Sequence, residues 1–477
     1  MKQRSPLLPI FLIVLVDVLG FTIVIPLLAY YAERFGASPL VATTLVSVYA
    51  VCSLISTPII GNLSDKVGRR RMLLISQAGT LAGFLMLAWS HSLWMVFVGR
   101  ILDGITAGNL SLAQAYISDH TKPENRAKAF GVIGVAFGIG FMFGPGLGGT
   151  LAEYGLHVPF LVAAGLSALS IFCTATLLKK ETPPQEVAPS TGPMPAGRRP
   201  GAFDIATYGT YFKRPRLGSL YLQFFLFSFA FSCFTSGFAL FAERRFSTHP
   251  ALHRVPGEMC KLTVDEKLET SSALPGTILL DGQALAHGEW WIAGPKTIFV
   301  AYEPCQKLQS AQKLEAKFPW TAHEVGLQFM FTGFLGILLQ GGLIGRLVKR
   351  FGEIRLVLAG FVAAAAAYVL LGFAFTVSMV LLVATISAFG NGVLRPVITS
   401  RITQVAGRHE QGVALGISGS LSSFAMMLAP PTGGALIDHQ WLLGWALVPA
   451  SVAAVGFIVA LATPDGKSRE PELSSPP

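Results

Sequence analysis

The stretch Gly61-Asn-Leu-Ser-Asp65-Lys-Val-Gly68-Arg69-Arg70 ends one long apolar segment of the chain and leads into the next. A related stretch, Gly345-Arg-Leu-Val-Lys349-Arg-Phe-Gly352, recurs in the second half with the same spacing of its glycines. Gly144-Pro145-Gly-Leu-Gly148-Gly149 also has a counterpart at nearly the same offset, Ala429-Pro430-Pro-Thr-Gly433-Gly434. Two repeats at one offset indicate that the chain consists of two related halves.

The overall composition indicates the environment of these halves. Of the 477 residues, 52% are hydrophobic and only 13% are charged, whereas a soluble globular chain has about 25% charged residues. This deficit excludes a disordered chain or an ordinary soluble protein and indicates a chain that lies mainly in lipid. Five cysteines in a chain of this length exclude a disulfide-dense scaffold.

Twelve apolar stretches have the length of a membrane helix, which needs about 20 residues. We therefore predict an all-α membrane protein with twelve transmembrane helices, called spans one to twelve below, in two pseudo-symmetric bundles of six. The stretches begin near Leu7, Leu40, Met72, Trp94, Ala127, Val158, Leu217, His323, Ile354, Val377, Gln411 and Trp441. The predicted parts are a first bundle (1–178), a Pro-rich linker (179–216), span seven (217–242), an insertion (243–322), the rest of the second bundle (323–463) and a disordered tail (464–477).

One set of connections carries most of the net charge of +10. Lysines and arginines follow spans two, four, six, eight and ten, whereas the opposite connections hold few of them outside the insertion. Because basic loops stay on the cytoplasmic side, we predict a multi-pass protein of the inner (plasma) membrane with both termini in the cytoplasm. The positive charge orients the chain in lipid, so we expect no nucleic-acid partner.

The insertion at 243–322 interrupts the hydrophobic pattern on the extracytoplasmic side. Short apolar runs between turn residues, such as Thr277–Leu280, predict a small β-rich domain, and the stretch 306–317 predicts a short amphipathic helix. Cys260 and Cys305 bracket the strands in an oxidising compartment, so we predict a disulfide between them. The domain is expected to bind an envelope component or a partner protein, or only to cap the outer vestibule.

Asp17 lies near the middle of span one. An ionised side chain at this depth costs roughly 2.5–3.5 kcal/mol on insertion scales, and binding a proton removes that cost. A transporter that couples its substrate to protons needs such a group, so Asp17 is a candidate proton carrier. The alternative is a carboxylate that serves only folding or the entry of water.

Four motifs, in order and on the expected spans, resemble those of the major facilitator superfamily, specifically its twelve-span drug:proton antiporters, the group that includes tetracycline efflux pumps. The stretch 61–71 resembles the loop motif G-x-L-x-D-x-x-G-R-R/K, and Leu19-Gly20 with Pro26 resembles the first-span signature. The stretch 99–104 resembles the fourth-span motif associated with proton transfer, and 140–149 resembles the antiporter motif G-x-x-x-G-P-x-x-G-G. The resemblance covers nearly everything except the insertion.

The resemblance implies a proton-driven exporter that works by alternating access, with Arg100 and Asp103 joining Asp17 in proton coupling. Arg100 and Asp103 are three residues apart, so they share one face of span four. The alternative is a pair whose charges only neutralise each other.

The resemblance also implies mechanical roles for two motifs. The loop motif is expected to latch the cytoplasmic face by binding carboxylates or helix ends, with Asp119 as a partner, although a purely orienting role of its arginines is the alternative. The glycine motif is expected to kink span five, or only to pack it closely. The loop motif comprises Gly61, Asp65, Gly68, Arg69 and Arg70, and the glycine motif comprises Gly140, Gly144, Pro145, Gly148 and Gly149.

Polar side chains within the spans are candidates for the substrate cavity. Arg395 in span ten is expected to meet an anionic substrate group or an acid of the other half, unless it reaches the cytoplasmic surface. Around Gln340, span eight lacks the histidine that some tetracycline pumps carry, so tetracycline stays an open question as a substrate. The candidates are Gln114, Gln223, Gln340, Asn391 and Arg395.

We expect a secondary active transporter that exports small amphipathic compounds or drugs in exchange for protons. Two alternatives stay open: a transporter of a metabolite such as a sugar or organic acid, and a membrane-anchored receptor that displays the inserted domain. The sequence contains no catalytic constellation and no metal-ligand spacing, so we predict no enzyme, no cofactor and no metal site. The protein is expected to be a monomer whose partners are a small molecule, protons and the lipid bilayer.

Overall fold

The computed structural model describes most of the spans and part of the insertion. Eleven described helices are long and apolar enough to cross a membrane, and two shorter helices together form the remaining crossing, span four. This is the predicted twelve-span all-α architecture with a small β-rich insertion. The described residues are 7–120, 123–178, 205–248, 252–255, 260–264, 276–281, 283–285, 289–294, 296–301, 305, 311, 314–406 and 410–463.

The helices begin close to the residues that the hydropathy pattern indicates. The first six spans are Leu7–Arg34, Pro39–Val67, Arg69–Ala88, the pair Leu93–Ile105 and Asn109–His120, Pro123–Ala152, and Val158–Leu177. A short helix in the linker, Ile205–Phe212, precedes span seven. Spans seven to twelve are Pro215–Arg245, Ala322–Leu338 with its continuation Leu339–Leu343 and Ile344–Phe351, Glu353–Gly372, Val377–Ala406, Gln411–Asp438, and Leu442–Ala462. The tail at 464–477 and most of the linker lie outside the described residues.

Span four is interrupted at residues 106–108, where the sequence pattern predicts a continuous helix. The hydroxyl group of Ser76 in span three hydrogen-bonds with backbone groups at this break. Ser76 Oγ donates to the Thr106 carbonyl at 2.5 Å and accepts from the Gly108 N–H at 3.0 Å. Backbone polar groups within a membrane need partners inside the protein, so the break depends on the neighbouring span.

Spans five and eleven carry the pseudo-symmetry of the two halves. Span five packs against spans one and eight, and span eleven packs against spans seven and two, which are their counterparts in the other half. A Cβ added to Gly149 in span five would lie 3.0 Å from His323 Cα of span eight. A Cβ added to Gly434 in span eleven would lie 3.0 Å from Leu40 Cα of span two. The repeated glycines therefore make equivalent close contacts between the halves.

Aromatic side chains of span seven form the centre of the second bundle. Phe241 stacks on Trp445 of span twelve, with ring centroids 4.7 Å apart. Phe234 lies against Tyr368 of span nine at 5.4 Å. These rings are buried, and such pairs stabilise a core beyond their contact area.

The insertion contains two four-stranded antiparallel sheets. Its strands are β1 Ser247–Thr248, β2 Leu252–Arg254, β3 Lys261–Val264, β4 Thr277–Leu280, β5 Gln283–Ala284, β6 Trp290–Gly294, β7 Thr297–Val300 and β8 Leu314–Pro319. The strand orders are β1-β8-β4-β5 and β2-β3-β7-β6. Leu262, Ile278 and Ile298 are fully buried in the core of the insertion, as the alternation of side chains along a strand requires.

The predicted helix at 306–317 is wrong in its described part, because the chain from Leu314 to Pro319 is strand β8. This strand pairs with β4 on one side and β1 on the other. Ala316 is buried, whereas Lys317 is exposed, which is the period of a strand and not of a helix. Residues 306–310 and 312–313 lie outside the described part of the chain.

Cys260 and Cys305 form a disulfide whose Cα atoms are 5.1 Å apart. Cys260 directly precedes β3, and Cys305 follows β7, the strand that pairs with β3. The two cysteines are separated by 45 positions in the sequence. The bond therefore joins the ends of two neighbouring strands across most of the insertion.

Replacing both residues (Cys260→Ser with Cys305→Ser) should destabilise the insertion by about 4 kcal/mol, because an open loop of this length has more unfolded-state entropy. Limited proteolysis of the intact protein measures this loss as faster cleavage within 247–319. Cys173→Ser in span six is the matched control and should leave cleavage unchanged. Alkylation of both Cys260 and Cys305 in wild-type protein purified without reductant would contradict the bond.

Candidate functional site

Asp17 lies in a polar cluster made by three spans of the first half. Its carboxyl group, which is half-buried, hydrogen-bonds with Gln77 of span three and Ser170 of span six. Gln77 Nε2 also donates to Ser170 Oγ at 2.7 Å, and both residues are fully buried. The sequence reasoning missed Gln77 and Ser170, although a glutamine inside an apolar span is a visible signal. Neutral polar groups therefore hold Asp17 in place.

Arg100 and Asp103 form a buried ion pair on span four. The Arg100 Nη1 atom lies 2.9 Å from Asp103 Oδ2, and the two side chains are only 3% and 5% exposed. The guanidinium also lies over the Tyr49 ring of span two, 4.5 Å from its centroid, and Thr80 hydrogen-bonds with Asp103. Sequence reasoning predicted the pair but not Tyr49 or Thr80.

The structure brings Asp17 and Asp103 close enough for their charges to interact. Gln77 and Thr80, three residues apart on span three, hydrogen-bond with Asp17 and Asp103 respectively, so the two carboxyl groups lie along one face of that span. Charges interact strongly in a medium of low dielectric constant. Adding a proton to one carboxyl group therefore changes the electrostatic energy of the other carboxyl group and of Arg100.

The loop motif joins spans two and three. Arg69 forms an ion pair with Asp65 and donates to the Ser64 hydroxyl group. Arg70 donates to the carbonyl oxygens of Thr174 at 3.3 Å and Ala175 at 2.5 Å, in the last turn of span six. These carbonyl groups have no helical partner of their own, so Arg70 caps a helix end. The side chain of Asp119, the predicted partner of the motif, lies outside the described part of the chain.

Gly68 gives the loop motif its turn. Its φ angle of 100° belongs to a region that side-chain-bearing residues rarely adopt. Gly352, its counterpart in the second half, has a φ angle of 80°. The repeated motif therefore places the same kind of turn after spans two and eight.

The glycines of span five bring it against span one. A Cβ added to Gly140 would overlap Val18, one added to Gly144 would overlap Thr22, and one added to Gly148 would lie 2.7 Å from a span-one carbonyl oxygen. Thr22 Oγ1 also donates to the Gly140 carbonyl at 2.9 Å. Small residues permit such contacts between membrane helices, so close packing accounts for these glycines.

Of the predicted cavity residues, Gln114, Gln340 and Arg395 are exposed within their spans. Asn391 is half-buried and donates to Ser387 at 2.9 Å. The placement of Gln223 in the cavity is wrong, because its side chain is fully buried and donates to Thr463 at the end of span twelve at 2.9 Å. A polar side chain in an apolar helix needs a polar partner. The partner of Gln223 is Thr463 at the end of span twelve.

Gln340 lies in an irregular turn of span eight. Residues Leu339–Leu343 form a π-helical segment, in which the Ile344 N–H reaches back to the Leu339 carbonyl. Such insertions are frequent at functional sites. Gln340 Nε2 lies 3.9 Å from the position of a Cβ added to Gly392 in span ten. The segment therefore places Gln340 beside span ten.

An ion pair and a histidine–carboxylate contact join the halves at the end of the bundle where the insertion begins, called the insertion end below. Arg244 Nη2 of span seven lies 2.5 Å from Glu33 Oε1 of span one, and both side chains are largely buried. His323 Nδ1 at the start of span eight lies 2.8 Å from Glu153 Oε1, which follows span five. Each pair connects one half with the other, so the insertion end is closed.

The base of the insertion takes part in this closure. Phe246 and Trp320 flank the insertion with their rings 4.9 Å apart, and the Trp320 N–H donates to the Phe246 carbonyl at 3.1 Å. The Tyr30 hydroxyl group of span one lies 3.3 Å from the carbonyl oxygens of Ala239 and Trp320. The insertion is therefore attached to both halves.

The opposite end of the bundle, called the basic end, carries the loop motif and its counterpart in the second half. Among the described atoms, none lies within 4 Å of a Cβ added to Gly61 or Gly345. Arg214, just before span seven, donates to Glu410 at 2.5 and 3.1 Å, and this guanidinium holds the pKa of Glu410 below its ordinary value. Arg214 directly precedes span seven and Glu410 directly precedes span eleven, so the pair does not join the two halves, and its exposure makes its effect on stability small.

A duplicated bundle of six membrane helices with charged groups buried inside it is the architecture of a secondary transporter. The chain belongs to the Major Facilitator Superfamily, whose family model matches residues 10–251 and 283–476. The gap in this match falls within the insertion. In the described ranges, no three His, Cys, Asp or Glu side chains come together as metal ligands would.

The chain is similar to resistance proteins along most of its length. It is 27% identical to the class C tetracycline resistance protein of Escherichia coli, covering 90% of this chain and 89% of that protein. It is 24% identical to multidrug resistance protein 1 of Bacillus subtilis (strain 168), covering 88% and 86%. The human organic anion transporter MFSD10 (TETRAN) has the same fold, with a TM-score of 0.63, 20% identity and coverage of 96% and 100%.

Replacing Gly144 by alanine should lower the stability of the protein by about 1–3 kcal/mol, because the new methyl group overpacks the contact with Thr22. Gly165→Ala in span six is the matched control, since a Cβ there meets no described atom within 4 Å. Thermal unfolding in detergent measures both variants. Equal melting temperatures for Gly144→Ala and wild type would contradict the packing role.

Proposed function

We propose that the protein exports small amphipathic compounds, drugs among them, in exchange for protons by alternating access. The observation that carries this proposal is the cluster of Asp17 with the buried Arg100–Asp103 pair. Similarity to tetracycline and multidrug resistance proteins over about 90% of the chain supports it. Proton-coupled transport needs a titratable group inside the membrane that reaches water from each side in turn, and Asp17 fits this role.

In this proposal, Asp17 binds and releases the proton. Its ionised form costs energy inside the membrane and is repelled by the charge of Asp103, whereas Arg100 stabilises the neighbouring carboxylate. A movement of span four relative to span one changes the distances within the cluster and therefore its affinity for a proton. The break at 106–108 lies directly after Asp103 and gives span four a place to bend.

The two ends of the bundle alternate in access. Basic loops mark the cytoplasmic side, so the basic end faces the cytoplasm and both termini lie there. The Glu33–Arg244 and Glu153–His323 pairs close the extracytoplasmic end, so the conformation described here is open toward the cytoplasm. After substrate and proton exchange, the halves rock, these pairs separate and the loop motif with Asp65 and Arg69 closes the cytoplasmic end. The close packing of span five around Pro145 keeps the halves sealed against leak.

The insertion then lies outside the membrane above the transport pathway. Its attachment to spans one and seven through Tyr30 and Trp320 supports a role in covering the outer vestibule, and its sheets offer a surface to an envelope component or a partner protein. A transporter of this architecture is complete in one chain, so we propose that it acts as a monomer. If the insertion is an accessory, its deletion should leave transport intact, whereas loss of the phenotype with an intact, folded transporter body would favour the receptor role.

Asp17→Asn should abolish transport driven by a pH gradient, because an amide cannot carry the proton, while membrane insertion stays normal. Proteoliposomes with an imposed pH gradient measure uptake of tetracycline and of the lipophilic cation tetraphenylphosphonium. Asp438→Asn is the matched control, since Asp438 is exposed at the end of span eleven, and it should transport like wild type. Unchanged gradient-driven transport by Asp17→Asn would disprove its role.

A further inference from the structure

Arg395 lies on the inward side of span ten. Arg395 follows Asn391 by four residues and Gly392 by three, so the three residues share one side of the helix. Tyr368 of span nine donates to Asn391, and a Cβ added to Gly392 would lie 2.8 Å from Leu339 of span eight, so this side faces other spans. The Arg395 side chain is nevertheless exposed. An exposed side chain on the inward side of a helix lines a water-accessible cavity between the spans.

In the described part of the chain, no carboxylate oxygen lies within 4 Å of the Arg395 guanidinium, the distance limit of an ion pair. Arg100 and Arg244, by contrast, pair with Asp103 and Glu33. A cation inside the membrane is normally paired with an opposite charge. The guanidinium of Arg395, which has no such partner in the described part of the chain, can therefore bind an anionic ligand.

A neutral hydrogen-bonding group of span eight approaches the side of span ten that carries Arg395. Gln340 approaches span ten at Gly392, three residues before Arg395 and on the same side of the helix. Gly341 and Gly342 follow in the π-helical segment, and a Cβ added to either meets no described atom within 4 Å. The amide of Gln340 can donate a hydrogen bond but cannot neutralise a charge.

We propose that Arg395 binds an anionic group of the transported compound, so that the substrates are amphipathic organic anions such as aromatic carboxylates. The inference deepens the proposed export function and rests on it. A guanidinium binds a carboxylate through two parallel hydrogen bonds, and the Gln340 amide supplies a further donor beside it. Because the anion leaves as a proton enters, the membrane potential drives the exchange together with the pH gradient.

A matched pair of probes tests the role of Arg395: 1-naphthylacetate and its uncharged analogue 1-naphthylacetamide. Binding of both to the full chain in detergent is measured by isothermal titration calorimetry at one ionic strength. The wild type should bind the carboxylate at least tenfold more tightly than the amide, since a charge-assisted pair is worth at least that factor. Arg395→Met should reduce this ratio to about one, and Arg395→Lys should give an intermediate ratio.

Arg401→Met, on the same helix, is the control variant and should keep the wild-type ratio. Equal binding of the two probes by wild type, or an unchanged ratio in Arg395→Met, would overturn the inference. If Arg395→Met does not fold, the wild-type ratio and Arg395→Lys decide the question. The export function is tested separately: if a pH gradient drives none of tetracycline, tetraphenylphosphonium and 1-naphthylacetate in wild-type proteoliposomes, that function fails whatever the binding ratio is.

Discussion

The cost of an unpaired charge inside the membrane is the constraint on which this structure depends. Arg100 offsets this cost by pairing with Asp103 and by lying over the Tyr49 ring, and the side chains of Arg100 and Asp103 are nearly shielded from water. Asp17, which is half-buried, is held by hydrogen bonds from neutral side chains of two other spans. Arg395 has no protein partner among the described residues and lies where a ligand can supply the charge. These three arrangements distinguish a buried ion pair, a proton carrier and a binding group.

The same constraint acts on the backbone and on the contacts between the halves. The break in span four is tolerated within the membrane because Ser76 hydrogen-bonds with the backbone groups that have lost their helical partners. Glycines such as Gly149 and Gly434 bring helices of opposite halves together at equivalent places. These contacts hold the halves together along spans two, five, eight and eleven, and the Glu33–Arg244 ion pair joins the halves at the insertion end.

Hydropathy and repeats predicted much of this fold, because span length and duplication are properties of the sequence itself. The span ends, the strand Thr277–Leu280 and the Arg100–Asp103 contact follow from local patterns. The break in span four did not, since its stability comes from a side chain of another span. Gln223 was misplaced because helical periodicity does not show which neighbour a polar side chain meets. The stretch at 314–319 suits a helix or a strand by composition, and pairing with two other strands decides for the strand.

The exchange of a proton for substrate at Asp17 is the central claim, and proton release on binding tests it most directly. Purified protein in a weakly buffered solution at neutral pH is mixed with whichever of tetracycline, tetraphenylphosphonium and 1-naphthylacetate it binds, and a pH-sensitive dye follows the solution. The account predicts that substrate binding releases about one proton from the wild type, as the exchange of substrate for a proton carried by one titratable group requires, and none from Asp17→Asn. Substrate binding to the wild type without proton release would contradict it.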